Sequence, residues 1–256
     1  MTRIAALLLL VTLLSQAADL KPEAVRVYDR YTHDAEARLT PTRQPFLWAD
    51  GAPDRVRELQ RGQTLVQPHS GNGDTSAPGA MIHDWVGTVF IPGATIEKTL
   101  AVMQDYDHHK SVYHDVLDSK LLAHNGNDYK FLRIRQLKKA VISGVYRTEF
   151  EAHYQQVDAR RWISTSRSTL IAEIENYGKP NQHELPPGHD AGYLWRLNGY
   201  WRLEQRDNGV YLECEAISLT RSLPALLSAL FAPAMHGLES ETMSNTLQQT
   251  RDAVRK

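Results

Sequence analysis

The sequence predicts an α+β fold: a curved antiparallel β-sheet wrapped around a long C-terminal α-helix, with an N-terminal helical extension. Three observations carry this reading. An apolar strand at Ile82 to Ile91 is followed by a short helix at Ile96 to Asp107, strand-like runs then extend from Val116 to Arg221, and one long amphipathic helix closes the chain. A shell of this kind encloses a pocket between sheet and helix, so the order of elements points to a binding cavity. It names no reaction.

Taken in order, Pro22 to Leu39 reads as a helix, with Pro22 in its first turn and Ala24, Val27, Tyr28 and Tyr31 recurring at helical spacing. A second short helix fits Asp54 to Gln60. The run Pro68 to Gly79 is rich in loop formers and marks the boundary between the extension, residues 18–79, and the main domain, residues 80–256. The first strand of that domain ends at Pro92-Gly93. Thr95 then offers an N-cap, Glu97 suits the first helical turn, and Ile96, Thr99, Leu100 and Met103 share a face. Strands follow at Val116 to Ala123, Tyr129 to Leu137, Ser143 to Gln155, Trp162 to Glu173, Gly192 to Gln205 and Val210 to Thr220. Asn125-Gly126 and Asp207-Asn208-Gly209 are hairpin signals that make neighbouring strands antiparallel.

Alternation locates the inside. In Gly192 to Gln205, Tyr193, Trp195, Leu197, Trp201 and Leu203 fall on one face, and Arg196, Asn198, Arg202 and Glu204 on the other. The partner strand sets Leu212, Cys214, Ala216 and Ser218 against Glu213 and Glu215. This predicts one buried face and one wet face, with the acids forming a solvated ladder opposite the arginines. The last helix, about Met235 to Val254, is apolar along Met235, Met243, Leu247 and Val254, with Thr246 and Thr250 among them, and packs most simply across the sheet's apolar face.

The chain has 256 residues, 42% hydrophobic and 23% charged, the make-up of an ordinary globular protein. Its start reads as a secretory signal over residues 1–17: Arg3 supplies the positive region, Ile4 to Leu14 the apolar region, and Ser15-Gln16-Ala17 a small-residue cleavage site. The mature chain is expected to begin near Ala18, exported to the periplasm or secreted. Its apolar run is too short to span a bilayer. Losing Arg3 moves the formal net charge from -1 to -2, and no sustained Lys/Arg run offers a nucleic-acid face. The single cysteine, Cys214, excludes an intramolecular disulfide and reads as an inert core thiol.

Three stretches carry a resemblance to a known family: Ile91 to Leu100 leading to Gln104 to Asp107, then Val116 to Leu122, and the C-terminal helix. Together they resemble the START-like superfamily, also called SRPBCC, helix-grip or polyketide cyclase-like, over about Ala80 to Val254. Tyr193 to Arg202 and Glu213 to Arg221 are similar to segments of exported bacterial members. The resemblance implies a deep cavity between the curved sheet and the last helix, used across the superfamily for lipids, sterols, polyketides and plant hormones. Some members are enzymes, but none of their catalytic residues matches a position here.

The expected partner is thus an apolar or amphipathic, lipid-like small molecule, with no cofactor, no metal and no nucleic acid. Candidate wall residues are Trp195, Leu197, Trp201, Leu212 and Ala216 on the sheet and Met243 and Leu247 on the helix. The same residues also describe a filled core, as in a structural envelope protein. An enzyme of cyclase, dehydratase or hydrolase type remains the rival, with His83, Asp84, Arg133, Glu149 or Tyr146 as acid or base. The histidines at His108, His109 and His114 fit a helix end better than a metal site. Gly178 to Ala191 is a candidate rim loop. Ser164, Ser166 and Ser168 alternate along one strand and read as exposed. Leu223 to Met235, strongly apolar, reads as a short core helix or as a mobile lid able to touch a membrane surface transiently.

Overall fold

The structure, a computed structural model, describes residues 18–139, 142–222 and 237–256; residues 1–17, expected to be a signal segment, and the apolar stretch Leu223 to Met235 lie outside the described residues. From the N-terminus come strand β1 (Ala18–Asp19), helix α1 (Pro22–Arg38), a 3-10 turn (Trp48–Gly51), helix α2 (Pro53–Gln60) and strands β2 (Thr64–Pro68) and β3 (Asp74–Ala77). Strand β4 (Ala80–Pro92) leads into α3 (Ile96–Gln104) and the one-turn helix α4 (His109–Val112). Beyond them lie β5 (Val116–Asn125), β6 (Asp128–Lys139), β7 (Ile142–Asp158) and β8 (Arg161–Glu175). Short strands β9 (His183–Glu184) and β10 (His189–Asp190) precede β11 (Arg196–Arg206), β12 (Gly209–Arg221) and α5 (Leu238–Arg255).

The main sheet runs β2-β4-β12-β11-β8-β7-β6-β5, with every neighbouring pair antiparallel. The chain leaves β4 through α3 and α4, reaches the far edge at β5, and returns by a meander that brings β12 back beside β4. Local chemistry dictates the turns. Asp207 and Asn208 both take left-handed backbone, φ 54° and 56°, which closes β11 onto β12 through a two-residue turn matched to strand twist. The Thr95 Oγ1 accepts a hydrogen bond from the Lys98 N–H at 3.3 Å and caps α3. This is the helix-grip arrangement: α5 lies against β4, β2 and β12 on the concave side of the sheet.

Close approach of α5 depends on Gly87. A Cβ there would stand 2.8 Å from Leu247 Cδ1 and 2.9 Å from both Met243 Sδ and Val66 Cγ2. Gly87→Ala should therefore overpack the helix–sheet seam and lower stability by about 1 to 3 kcal/mol, read as a lower denaturant midpoint at unchanged slope. An unchanged midpoint would mean that the helix shifts freely and the seam is loose.

The extension does not stand apart, because β2 and β3 pair with β4; the run Pro68 to Gly79 thus contains strand as well as loop. Its helices cover the convex face of the sheet. Ala24, Tyr28 and Ala35 of α1 pack on Ile82, Tyr200, Ile217 and Leu219, while Phe46, Leu47 and Leu59 pack on Phe90 and Tyr211. The expected wet face is therefore corrected to a second buried interface. Glu213, Glu215 and Arg202 retain only 2%, 3% and 3% of their surface.

The extension supplies most of the partners of these charges. Arg38 donates from Nη1 to Glu215 Oε2 at 2.9 Å and from Nη2 to Asp84 Oδ2 at 3.1 Å, and the Tyr31 hydroxyl reaches Asp84 Oδ2 at 2.9 Å. The Trp48 N–H and Thr88 hydroxyl donate to Glu213 Oε2 at 2.6 and 3.2 Å. Arg202 is the register partner of Glu213, yet its Nη2 donates to the Leu39 and Thr40 carbonyls of the extension. Burial pushes the Glu213 carboxyl up to about 7, against the pull of Arg43. Burial and the neighbouring Glu215 push Asp84 up to about 7, against the Tyr31 hydrogen bond and Arg38.

Both acids have raised folded-state pKa values, so the folded protein holds more protons than the unfolded chain between about pH 4 and 7. Stability should be fullest below that window and fall by several kcal/mol as pH rises through it. Denaturant midpoints at pH 5 and pH 7.5 check this, and Asp84→Asn with Glu213→Gln should flatten the slope. A rise of stability over the same interval would refute it.

Candidate functional site

Between the concave face of the sheet, α5 and the α3–α4 segment lies a cavity of about 210 Å³. Its apolar wall is aromatic at one end. Phe131 of β6 stacks on Phe150 of β7 at 5.1 Å and on Tyr106 at 4.0 Å, and the Tyr106 and Tyr154 hydroxyls meet at 2.9 Å. Inward alternation along β6 and β7 puts these rings on one face, a pattern the sequence left ambiguous because β6 carries apolar residues on both sides.

Of the expected wall residues, Leu197, Trp201, Ala216, Met243 and Leu247 border this cavity. Leu212 does not. It is fully buried in the solid core beside the cavity, with Val89, Ile91 and Leu203. Trp195 is corrected to the opposite face. The strand begins only at Arg196, so the bend before it breaks the alternation; Trp195 packs beneath α1 and its Nε1–H donates to Asp190 Oδ1 at 2.9 Å. Tyr193 and Leu194 reach the wall in its place.

The serine row also differs from expectation: Ser164 and Ser166 border the cavity, whereas Ser168 accepts a hydrogen bond from the Leu197 N–H at 3.0 Å. Cys214 lies on the wall too, and burial pushes its thiol pKa up, which keeps it protonated and a poor nucleophile. The rim-loop residues Gly178 to Ala191 do not border the cavity; His189 Nδ1 instead meets Asp19 Oδ1 at 2.7 Å, and His183 is exposed.

Among the acid or base candidates, only His83 and Arg133 face inward. Asp84 is on the convex side, Glu149 pairs with Arg147, and Tyr146 is buried with Ile171 and Leu194. His83 sits in a short relay: Nδ1 is 2.7 Å from Asp74 Oδ1 and Nε2 is 3.0 Å from the Thr220 hydroxyl, with Glu239 at 3.7 Å. When neutral, the ring donates from Nδ1 to the carboxylate, and Nε2 accepts from the Thr220 hydroxyl at the cavity wall.

At the aromatic end, Arg133 donates from Nε and Nη2 to His109 Nδ1 at 3.2 and 2.8 Å. Arg135 beside it is held by Asp115, Nε to Oδ2 at 2.9 Å. Burial raises the Asp115 pKa, and the charges of Arg135 and Arg133, with the Arg135 hydrogen bond, outweigh that and hold it low. His108 pairs with Asp105 at the surface, so the neighbouring histidines do not converge. One group of described residues has metal-ligand spacing, His69, Asp84 and Glu215, with ligand atoms within 4.8 Å. Its two carboxylates already face the Arg38 guanidinium, which supplies the positive charge there.

No protein-family model matches the chain, and no curated protein does. Solved structures do. The structures it resembles include START-domain lipid-transfer proteins and aromatase/cyclases. A STAR-related lipid transfer protein of Xanthomonas axonopodis is 17% identical, with 72% of this chain and 99% of that chain covered at a TM-score of 0.46. A Thermus thermophilus protein is 13% identical over 66% of this chain and 95% of its own, TM-score 0.47. The Zhui aromatase/cyclase of Streptomyces is 10% identical over 68% and 94%, TM-score 0.43.

Proposed function

We propose that this protein binds an apolar or amphipathic, lipid-like small molecule in the cavity between the sheet and α5. The observation that carries the reading is the cavity itself: about 210 Å³ walled by aromatic and aliphatic side chains with a few convergent polar groups. A filled core leaves few voids larger than a water molecule, so this space favours an occupant over a merely structural interior. Native mass spectrometry of protein purified from its own host, before and after organic extraction, tests it. A stoichiometric apolar molecule released only on extraction supports binding; a protein that always arrives empty counts against it.

Export belongs to the same reading. Arg3, the apolar run Ile4 to Leu14 and the small residues Ser15-Gln16-Ala17 support a cleaved leader, and the mass of the mature chain should match a start at Ala18. The uncharged stretch Leu223 to Met235 supports transient contact with a membrane surface during loading. Among the described residues no helix is long and apolar enough to cross a membrane.

A second reading rests on the Asp74–His83–Thr220 chain, which places a histidine and the hydroxyl bonded to it on the wall of the same cavity. An enzyme of cyclase, dehydratase or hydrolase type would use it to move a proton. Incubating the extracted occupant with protein and with His83→Ala distinguishes the two: a binder returns the occupant unaltered from both, whereas an enzyme alters it only when His83 is present.

A further inference from the structure

The aromatic end of the cavity holds more positive than negative charge, two guanidinium groups, Arg133 and Arg135, to the one carboxylate of Asp115. Arg133 projects inward from β6 among Tyr106, Tyr113 and Phe131, its guanidinium 4.9 Å from the Phe131 ring and 5.3 Å from that of Tyr113. Part of its surface faces the cavity; protein encloses the rest, and that burial lowers its pKa without discharging it. His109 is no anion for it. Burial and the charge of Arg133 hold the His109 pKa down to about 2, so the ring is neutral, with Nε2–H donating to the Met103 carbonyl at 3.1 Å.

Nor is there a spare carboxylate. Asp115 is taken by Arg135, and Arg133 forms no ion pair among the described residues. The remaining residues, 1–17, 140–141 and 223–236, contain neither Asp nor Glu. Two arginines face one acid, which leaves one uncompensated positive charge. His109 takes up Nε–H and one Nη2–H. The Nη1–Nη2 edge keeps two parallel donors with no protein acceptor among the described residues.

We propose that the occupant is an anionic amphiphile, its carboxylate or phosphate held by the Nη1–Nη2 edge of Arg133 and its apolar remainder lying against Phe131, Phe150, Trp201 and Met243. This rests on the binding reading of the cavity and names the chemical class it selects. A buried guanidinium is unfavourable until an anion meets it, so the site rewards an acid and leaves itself unpaired with a neutral molecule of the same shape. Discrimination by a charge-assisted pair is expected to be about tenfold to hundredfold.

The experiment uses N-phenyl-1-naphthylamine, an uncharged apolar fluorophore, as reporter on the mature protein stripped of its occupant, with decanoate, decyl phosphate and decanol as competitors below their aggregation limits. Expected is displacement at least tenfold stronger by one or both anions than by decanol, with the preference lost in Arg133→Met and partly kept in Arg133→Lys. Which anion competes better separates a carboxylate head from a phosphate head. Equal competition by all three in the wild type overturns the acidic head group and leaves the apolar cavity standing. Failure of the reporter and of every competitor to bind overturns both. If Arg133→Met does not fold, the wild-type ratio and Arg133→Lys still decide.

Discussion

Arg38→Ala should destabilise the protein by about 3 kcal/mol at pH 7.5, a large share of the 5 to 15 kcal/mol available to a folded domain. Arg38 closes the extension onto the sheet by bonding both Glu215 and Asp84, whose side chains are 3% and 1% exposed. Removing it leaves two desolvated carboxylates facing each other beside the His69 ring, 3.8 Å from Glu215, whose pKa burial lowers so that the ring is neutral at this pH. Arg38 keeps 34% of its own side-chain surface, so water relieves some of the loss, and the expected figure sits at the low end for a broken buried pair. Arg38→Lys should lose less, since it keeps the charge but not the fork. The defect should shrink at pH 5, where Asp84 takes up a proton. Denaturant unfolding of the three proteins at both pH values checks all of this; an Arg38→Ala variant within about 0.5 kcal/mol of wild type would show that the clasp is only a surface ion pair.

Ala216→Trp should abolish retention of the natural occupant while the protein stays folded. Ala216 lies on β12 with its side chain on the cavity wall, between Cys214 and Ser218, opposite the Met243 and Leu247 face of α5. An indole there is expected to enter the free space of about 210 Å³ that the side chain borders. In a core with no space, the same change forces side chains off their rotamers and costs about 1 to 3 kcal/mol. Two readouts therefore separate the cases: occupancy by native mass spectrometry and stability by thermal unfolding. Lost occupancy at unchanged stability supports the pocket. Lost stability supports a filled core, and full occupancy in a stable variant would place the ligand elsewhere.

Much of the architecture was legible in the sequence because it is written in short-range patterns. Asp207-Asn208 before Gly209 specifies a tight hairpin wherever it occurs, Thr95 caps a helix through its own third neighbour, and the stripe Met243, Leu247 and Val254 marks the buried face of α5. The covering of the convex face was not read from alternation alone, though two signs of it are present. Ile82 to Ile91 carries apolar residues on both alternating faces, Ile82, Val86 and Phe90 on one and Trp85, Val89 and Ile91 on the other, as a strand buried on both sides requires, and Tyr211, Ile217 and Leu219 share the face of Glu213 and Glu215.

By itself the sequence determined the long strands β4 to β8, β11 and β12, the tight turn between the last two, the helices α1, α2, α3 and α5 and their order, since each depends on residues within one turn or one hairpin of one another; it did not mark the short strands β2 and β3. Only the tertiary structure decided which charges are buried and which way a side chain outside a strand points. Glu215 is buried because Arg38, 177 positions away, reaches it; Trp195 turns to the convex face because Asp190 and α1 receive it there. Arg133 becomes a charge awaiting an anion only when the fold sets it among aromatic rings with its one acidic neighbour already bound to Arg135. Burial and pairing are sums over everything that surrounds a group, and distant segments supply most of those surroundings.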